Sequence, residues 1–323
     1  MEVVGRKRLM LFSGSANQAL AEEVADLMGV RVGGLQRSVF ANGEIYVRPT
    51  ESVRGADCFV MQSHSHPINF HIMEQLITID ALHRASAKRI TAVMPYYGYS
   101  RADKKVSPRE AISARMVGDL FMAAGADRLV SVDLHTGQIQ GFVSKPFDHL
   151  TALPIFVEYL QDVIDGPATV VSPDAGGVKR AEKYARHLDA YVAFVHKRRE
   201  PDHHNVSAAL TVIGKVEGRH AIVVDDMIDT AGTVCNAAEL LRAKGAESVR
   251  VVATHGVLSP PAIDRLKNAP IEKVILTNTL PIPEEAEGFD KLEVLSVAPI
   301  VAEALQAIFI DSSVSEIFLG ENV

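Results

Sequence analysis

Short apolar runs rich in β-branched residues alternate with amphipathic helical segments along nearly the whole chain. The first run, RLMLFSG at 8–14, is followed by NQALAEEVADLMG, whose apolar residues recur at helical spacing. Further runs of the same kind are RITAVMPY, DRLVSVDLH, ATVVSPD, AYVAFVH, HAIVVDD, SVRVVATHG and KVILTNT. Strands that are apolar throughout and separated by helices are typical of parallel sheets covered on both faces. The sequence therefore predicts an α/β fold of mainly parallel sheets flanked by helices.

The two halves of the chain resemble each other, which indicates a duplicated fold. GADRLVSVDLH at 125–135 resembles GAESVRVVATH at 245–255, and a strand–loop–helix unit opens each half, at Leu9 and at Ala168. Chance similarity between βαβ units is the alternative. The 323 residues are enough for two cores. We expect an N-terminal domain over 1–155, completed by the segment 303–323, and a C-terminal domain over 156–302.

Charge and cysteine content exclude several classes of protein. The formal net charge is -7, so no global basic field exists to bind a nucleic-acid backbone, although a local cluster can still bind a small anion. The two cysteines, Cys58 and Cys235, are too few for a disulfide framework and lack metal-ligand spacing. No apolar segment approaches the length of a membrane span. We expect a cytoplasmic protein without nucleic-acid or membrane partners.

The segment VVDDMIDTAGT at 223–233 combines acidic residues with small and hydroxylated ones. Strand HAIVV leads into Asp225 and Asp226, and 229–233 forms a loop before the helix TVCNAAELLRAKG. Ligands of parallel sheets bind at this edge. Backbone N–H groups and hydroxyls there suit a phosphate, and adjacent carboxylates suit the vicinal hydroxyls of a ribose. The segment predicts a site for a phosphorylated sugar, whereas an acidic helix cap would need a single Asp.

This segment resembles the phosphoribosyl-diphosphate motif of type I phosphoribosyltransferases and of ribose-phosphate diphosphokinases. Resemblance to the second family, in its phosphate-regulated class, extends from about Leu9 to Phe318. It runs through FANGEIYVR, ESVRGADCFVMQS, MEQLITIDALHRASAKRITAVMPYYGYSRADKK, SVDLHTGQIQGF, VSPDAGGVKRAEKYA and HKRREPDHHNVS. The resemblance implies two duplicated type I phosphoribosyltransferase-like domains. It also implies that ribose 5-phosphate attacks the β-phosphorus of Mg-ATP, giving 5-phosphoribosyl 1-diphosphate and AMP.

The resemblance assigns residues to the sugar, the diphosphate and the metal. The ribose 5-phosphate site would comprise Asp225, Asp226, Asp229, Thr230, Ala231, Gly232, Thr233 and Arg199. The diphosphate-binding turn would be Asp174, Ala175, Gly176 and Gly177. Glycines there let backbone amides approach the phosphates. His135 and Asp174 match positions associated with Mg²⁺, with Asp133 as a further candidate, and His135 could instead contact the ATP phosphates.

The resemblance also implies an ATP site, with contacts from Phe40, Asn42, Gly43, Glu44, Arg101, Ala102 and His135. Phe40 can stack on adenine, while Asn42 and Glu44 can hydrogen-bond its edge. Read without the resemblance, ANGE is a tight turn between strands. In the family this segment reaches the site from a neighbouring subunit. We therefore expect a homo-oligomer, of the hexameric type found in the family.

Catalysis would depend on the basic segment HKRREPDHHN at 196–205, acting as a closing loop. Lys197 and Arg199 would come onto the transferring group and stabilise its charge. A solvated loop is the alternative. His203 and His204 resemble a metal pair, but we interpret them as exposed loop residues.

Two positions depart from the family pattern. Ala102 stands where the family commonly has Gln, and Ser144 stands where many members have an acid. These departures leave open a catalytically weak regulatory homologue. A nucleobase phosphoribosyltransferase is a further alternative, but it would not explain the ATP-type segment at Phe40.

The resemblance finally implies regulation by phosphate as activator and ADP as inhibitor. The regulatory site would lie at a subunit interface near Ser52, Arg54, Ser313 and Ser315, in ESVRG and SSVSEIF. A solvated serine-rich tail is the alternative interpretation.

Overall fold

The computed structural model describes residues 7–198, 209–318 and 321, with the backbone alone at 197, 198 and 209. The chain divides into two compact units. The first comprises Met1–Thr151, Thr279–Pro281 and Ser296–Val323, and the second comprises Ala152–Asn278 and Ile282–Leu295. Within the described residues, no helix combines the length and the apolar composition needed to cross a bilayer.

The chain forms its first elements in the order β1 (Leu9–Ser13), α1 (Gln18–Leu27), β2 (Leu35–Val39), β3 (Ile45–Pro49), β4 (Asp57–Met61), α2 (Ile68–Arg84), β5 (Arg89–Met94), α3 (Ser113–Ala124), β6 (Arg128–Val132) and β7 (Phe147–Leu150). The remaining elements are α4 (Leu153–Val163), β8 (Ala168–Ser172), α5 (Val178–His187), β9 (Tyr191–Arg198), β10 (Ala209–Ile213), β11 (His220–Ile228), α6 (Gly232–Ala243), β12 (Ser248–Gly256), α7 (Ala262–Asn268), β13 (Lys273–Thr277), β14 (Leu292–Leu295) and α8 (Ala298–Phe309). Short 3₁₀ turns lie at Gly137–Phe142, Glu284–Ala286 and Ser315–Phe318.

Each unit is built on its own sheet. The sheet of the first unit has the order β1-β4-β5-β6-β7, with every neighbouring pair parallel. The sheet of the second unit has the order β10-β9-β8-β11-β12-β13-β14, and only the β9–β10 pair is antiparallel in the described residues. Strand residues on both faces are buried, as in β4, where all five are. This confirms the predicted α/β fold with parallel sheets flanked by helices.

The strand orders of the two sheets correspond. In the first unit Val32 forms a parallel bridge to Leu11 of β1, in the place that β9 occupies beside β8. Continuing along each sheet, β4, β5, β6 and β7 then correspond to β11, β12, β13 and β14. Both units therefore have the same topology, which supports the predicted duplication.

The two segments whose similarity indicated that duplication nevertheless contain strands that are not equivalent. Residues 125–135 contain β6, whereas 245–255 contain most of β12, whose counterpart in the topology is β5. The proposed alignment of the repeat is therefore wrong by one strand. Every strand–helix unit of a parallel sheet has the same local pattern, so a short match does not tell which unit it belongs to.

The last helix of each half of the chain belongs to the unit formed by the other half. Helix α4 follows β7 in the chain but lies in the second unit, and α8 follows β14 but lies in the first. In the first unit α8 packs on α1, and its end is anchored where Arg89 pairs with Asp311 at 2.6 Å. In the second, Phe156 of α4 packs beside Tyr184 of α5, with ring centroids 6.3 Å apart. The sequence predicted that 303–323 completes the first domain, and the units divide at Ala152 and at Ser296 in place of the predicted 156 and 303.

Candidate active site

An acid pair lies near the carboxyl end of β11. Arg180, on the first turn of α5, contacts both acids: Nη1 lies 3.0 Å from Asp225 Oδ1, and Nη2 lies 3.2 Å from Asp226 Oδ1. The side chains of Asp225 and Asp226 are only 22% and 4% exposed. One guanidinium fork therefore compensates two adjacent, largely buried carboxylates.

Burial has the largest effect on the pKa of Asp225 in this pair. It raises the pKa of Asp225 to about 7, and the neighbouring charge of Asp226 acts in the same direction. The charge of Arg180 and the backbone N–H of Asp226 act in the opposite direction. Asp225 is therefore a carboxylate whose negative charge is costly without a cation or polar ligand beside it.

The loop that follows β11 leads directly into α6. Ala231 has φ +60°, a left-handed conformation that L residues rarely adopt, and the helix begins at Gly232. The helix therefore begins one residue before the start at Thr233 that the sequence predicted. Arg265 of α7 fixes the turn by donating from Nη1 to the carbonyl of Thr230 at 2.9 Å. The N–H groups of the first helical turn have no intrahelical partner. They make this end of the helix suited to binding an anion.

A second tight turn lies at the end of β8. Asp174 Oδ1 accepts hydrogen bonds from the N–H groups of Gly176 and Gly177, at 2.8 and 3.1 Å. Ser172 Oγ donates to the carbonyl of Asp174 at 2.6 Å. A Cβ at Gly177 would lie 2.7 Å from Ser172 Oγ, so the turn requires glycine there. Because β8 and β11 are neighbouring parallel strands, both turns lie at one edge of the sheet.

The chemistry of the Asp174 turn fits Mg²⁺. Mg²⁺ usually binds through one or two carboxylates together with substrate phosphates and water. Asp174 is an exposed carboxylate whose Oδ1 is used to shape the turn. Among the described residues, no group of three or more His, Cys, Asp or Glu forms a metal cage. A metal delivered by a nucleotide does not need such a cage.

Strand β9 extends beyond the end of β8 at the same edge. Ser172 of β8 is in register with Phe194, and β9 continues through Lys197, which is in register with Leu210 of β10. Lys197 thus belongs to a strand, and the prediction that it lies in a loop is wrong. β9 continues beyond the end of β8 because the antiparallel strand β10 pairs with it on its other side. Arg199, His203 and His204 lie outside the described residues.

In the first unit, β2 and β3 form a separate hairpin whose turn carries Phe40, Asn42, Gly43 and Glu44. Phe40 N–H donates to the Glu44 carbonyl and Gly43 N–H to the Phe40 carbonyl, each at 2.8 Å. Gly43 has φ +91°, and Asn42 Oδ1 accepts from Glu44 N–H at 3.2 Å. Phe40 is 54% exposed, and its ring lies edge-on to that of Tyr46. The segment is a tight turn that presents an exposed aromatic ring.

The loops carrying Arg101 and His135 meet at the carboxyl edge of the first sheet. They follow the neighbouring parallel strands β5 and β6. Asp103 Oδ2 accepts hydrogen bonds from Thr136 Oγ1 at 2.7 Å and from Gln138 Nε2 at 2.9 Å. The structure therefore brings the Arg101–Ala102 segment and the His135 loop together.

A buried histidine holds the backbone of the loop that leads from β5 to Arg101. His64 Nδ1 accepts from Gly98 N–H at 2.9 Å, so its Nε2 carries the proton and donates to Gln75 Oε1, also at 2.9 Å. Gln75 in turn donates to the carbonyls of Val60 and Val93. Burial lowers the pKa of His64 to about 4, so the ring stays neutral in the folded protein.

We predict that His64 makes stability fall in mild acid. The folded pKa is about 4 and the unfolded value about 6.5, so the unfolded chain binds a proton that the folded chain rejects. The full contribution of neutral His64 is present above pH ~6.5 and is lost toward pH ~4, by about 2–3 kcal/mol at pH ~4.5. Urea denaturation of His64→Asn at both ends of this range should show a smaller loss than wild type. The exposed His83→Asn variant is the control, and equal losses in all three proteins would contradict the prediction.

The predicted regulatory residues are exposed in the first unit. The carbonyl of Ser52 accepts from Arg8 Nη2, and the hydroxyls of Ser313 and Ser315 lie 3.4 Å apart. Their role stays a prediction.

Several residues that shape these sites were not identified from the sequence. They are Arg180, Asp103, His64, His149, which accepts from Leu134 N–H at 2.9 Å, and Arg265. Arg180 gave one signal: it lies three residues after the DAGG turn, on the first helical turn facing the same sheet edge. The others have partners from 11 to 35 residues away in the chain, which no local pattern reveals.

The chain is similar to proteins of one family over almost its whole length. The pattern of the N-terminal domain of ribose phosphate pyrophosphokinase matches residues 9–125, and that of the phosphoribosyl synthetase-associated domain matches 201–319. The ribose-phosphate pyrophosphokinase of Streptomyces avermitilis is 55% identical, with 98% of each chain covered. That of Synechococcus elongatus is 51% identical, with 96% of this chain and 94% of the relative covered.

A solved structure gives the same result. Phosphoribosylpyrophosphate synthetase from Mycobacterium smegmatis superposes with a TM-score of 0.90 at 51% identity, covering 95% of this chain and 100% of the other. Because the sequence identity and the shared fold both extend over nearly the entire length, this chain belongs to the ribose-phosphate pyrophosphokinase family.

Proposed function

We propose that the chain transfers the diphosphoryl group of Mg-ATP to the anomeric hydroxyl of ribose 5-phosphate, giving 5-phosphoribosyl 1-diphosphate and AMP. The observation that carries this proposal is the shared edge of β8 and β11, where an acid pair lies beside two helix N-termini. A phosphorylated sugar needs both kinds of group, carboxylates for its hydroxyls and amides for its phosphate. Full-length relatives that carry the pyrophosphokinase name support the same reaction.

Ribose 5-phosphate would bind along β11 and the start of α6. The 5-phosphate would accept from the N–H groups and hydroxyls of Thr230–Thr233, and Asp225 and Asp226 would accept from the sugar hydroxyls, with Asp229 completing the loop. Arg180 already donates to both acids, so it would orient them and lower the cost of their charge before the sugar arrives.

The transferred diphosphate would bind at the turn Asp174–Gly177, where the glycines let the backbone come close to the phosphates. Mg²⁺, when bound, would neutralise charge on the phosphates. Asp174 is the proposed ligand in the second unit. In the first unit, His135 would contact Mg²⁺ or the ATP phosphates, with Asp133 as a further candidate.

The nucleotide would be recognised by the exposed hairpin and by the loop after β5. Phe40 offers an exposed ring for stacking, and Asn42, Gly43 and Glu44 offer polar groups to the base edge. Arg101 and Ala102 would contribute from a turn whose backbone is bonded on both sides, from Ala102 N–H to the Tyr99 carbonyl and from Ala114 N–H to the Ala102 carbonyl.

Lys197 and Arg199 would stabilise the charge that develops on the transferring group, since phosphoryl transfer depends on positioning and electrostatics more than on covalent help. The place of Lys197 near the end of β9, beyond the last residue of β8, supports this role.

One assay tests the reaction. The protein is incubated with ATP, Mg²⁺ and ribose 5-phosphate, and AMP and 5-phosphoribosyl 1-diphosphate are separated by chromatography. Equimolar release of both products, dependent on all three additions, is expected. AMP release without ribose 5-phosphate would indicate simple hydrolysis, and no release at all would favour the regulatory homologue.

We also propose that the chain works as a homo-oligomer, of the hexameric type, in which the hairpin serves a neighbouring subunit. Val39 and Phe40 are 55% and 54% exposed at the hairpin tip, an unusual place for two large apolar side chains without a partner surface or ligand.

A mixing experiment tests this arrangement. Phe40→Ala and Lys197→Ala should each be nearly inactive, but co-expressed chains should recover up to about a quarter of wild-type activity, since random assembly pairs intact groups in one site of four. Phe40→Ala co-expressed with Asn42→Ala, on the same hairpin, should recover nothing. Activity no greater than that of the separate variants would contradict a shared site.

Phosphate activation and ADP inhibition are proposed for the exposed region of Ser52, Arg54, Ser313 and Ser315. Activity that is indifferent to phosphate over a wide concentration range would contradict this proposal. We further propose a cytoplasmic location, supported by two cysteines that are buried as free thiols.

A further inference from the structure

Asp103 is the one buried residue of the stretch 101–111, which follows β5. Its relative exposure is 4%, whereas Arg101 and the residues from Lys104 to Ala111 are exposed. Removing a carboxylate from water is costly unless hydrogen bonds compensate it. A buried acid in this position therefore needs a structural or functional reason.

Two donors on another loop supply that compensation. Asp103 Oδ2 accepts from Thr136 Oγ1 and from Gln138 Nε2, at 2.7 and 2.9 Å, and these residues flank Gly137, just after His135. Hydrogen bonds to a carboxylate are shorter and about twice as strong as neutral ones. Asp103 therefore joins the loop of Arg101 to the loop of His135.

Each loop is separately fixed where it leaves the sheet. On one side Gly98 N–H donates to His64, and Tyr99 has a left-handed φ of +64°. On the other side Leu134 N–H donates to His149, and Asp133 has φ +38°. Because the start of each loop is fixed, the hydrogen bonds of Asp103 determine how far apart the two loop tips lie.

We propose that Asp103 is a positioning residue that fixes the separation of Arg101 and His135, so that one ATP molecule can contact both. This inference rests on the proposed function, in which both residues contact the nucleotide. Asp103 itself is not expected to touch the substrate, because its side chain is buried and its Oδ2 is occupied.

The test compares steady-state kinetics of Asp103→Ala, Asp103→Asn and the control Asp119→Asn, an exposed acid on α3. Asp103→Ala should lower kcat/KM for ATP by about 10- to 100-fold, as expected for ligands displaced by roughly an ångström. The Kd for ribose 5-phosphate, measured by calorimetry, should be unchanged. Asp103→Asn keeps an acceptor oxygen and should recover most of the loss, and Asp119→Asn should match wild type.

A double-mutant cycle with Thr136→Val separates positioning from a general loss of structure. If Asp103 acts through the Thr136 loop, the double variant should be no worse than Asp103→Ala alone. Multiplied losses, or normal kcat/KM for ATP in Asp103→Ala, would overturn the inference while leaving the proposed reaction intact. Absence of AMP release by the wild-type protein would instead refute the proposed function.

Discussion

Replacing Lys197 by alanine should lower kcat by roughly 10²- to 10³-fold, the usual effect of removing a charged donor that acts on the transition state. The affinities for ATP and ribose 5-phosphate should change little, because the interaction forms as charge redistributes around the β-phosphorus. Lys197 lies three residues beyond Phe194, which is in register with the last residue of β8. The strand thus extends about 10 Å past the end of β8, toward the side where the Asp174 turn lies.

The controls for Lys197 separate chemistry from folding. Lys197→Arg should recover activity only in part, since a planar fork replaces a compact ammonium. Lys244→Ala, at the other end of α6 from the proposed sugar-phosphate site, should keep the wild-type kcat. Rapid-quench measurement of a single turnover would show whether the loss lies in the chemical step. A normal single-turnover rate, or a large fall in Tm, would mean that Lys197 is not the catalytic residue.

Asp225→Asn should abolish most ribose 5-phosphate binding and yet stabilise the fold at alkaline pH. Losing charge-assisted hydrogen bonds to sugar hydroxyls, each contributing about 1.5–3 kcal/mol, should raise Kd by about 100-fold or more. The stability effect arises because burial raises the pKa of Asp225, so its charged form is disfavoured in the folded state. An asparagine is neutral at every pH and avoids that cost.

The sign of the pH dependence follows from the raised pKa. Between the unfolded value of 3.8 and the folded value of about 7, the folded chain binds a proton that the unfolded chain has released. Wild-type stability from this group therefore falls as pH rises through that range. Asp225→Asn should gain about 1–3 kcal/mol in unfolding free energy over wild type near pH ~8.5, and much less near pH ~5.

Urea denaturation at both pH values checks the stability prediction, and calorimetric titration with ribose 5-phosphate checks the binding. Glu239→Gln, an exposed acid on α6 in the same unit, should change neither. A variant that is less stable than wild type at alkaline pH would show that the ion pair with Arg180 outweighs the burial of Asp225.

Local sequence patterns were sufficient to predict the strands and helices and one edge of the candidate site. The run AIVV in β11 is apolar at every position, and Thr169 is the one polar residue of ATVV in β8, a pattern typical of buried parallel strands. Loops that follow neighbouring parallel strands leave the same edge, so the acids after Val224 and the turn at Asp174 lie on one side of the second sheet. Local patterns predicted the ends of the strands less well, because β9 and β11 continue as far as neighbouring strands pair with them.

By itself, then, the sequence determined the α/β class, the phosphorylated-sugar motif and, through its resemblance, the family. The tertiary structure alone decided which strands of the two units correspond, the place of α4 in the second unit, and the partners that compensate the buried acids. Arg180 reaches Asp225 across 45 residues of chain, and Asp103 reaches Thr136 across 33. Helical and strand periodicity report only contacts a few residues apart, whereas the charge state of a buried acid depends on groups that folding brings beside it.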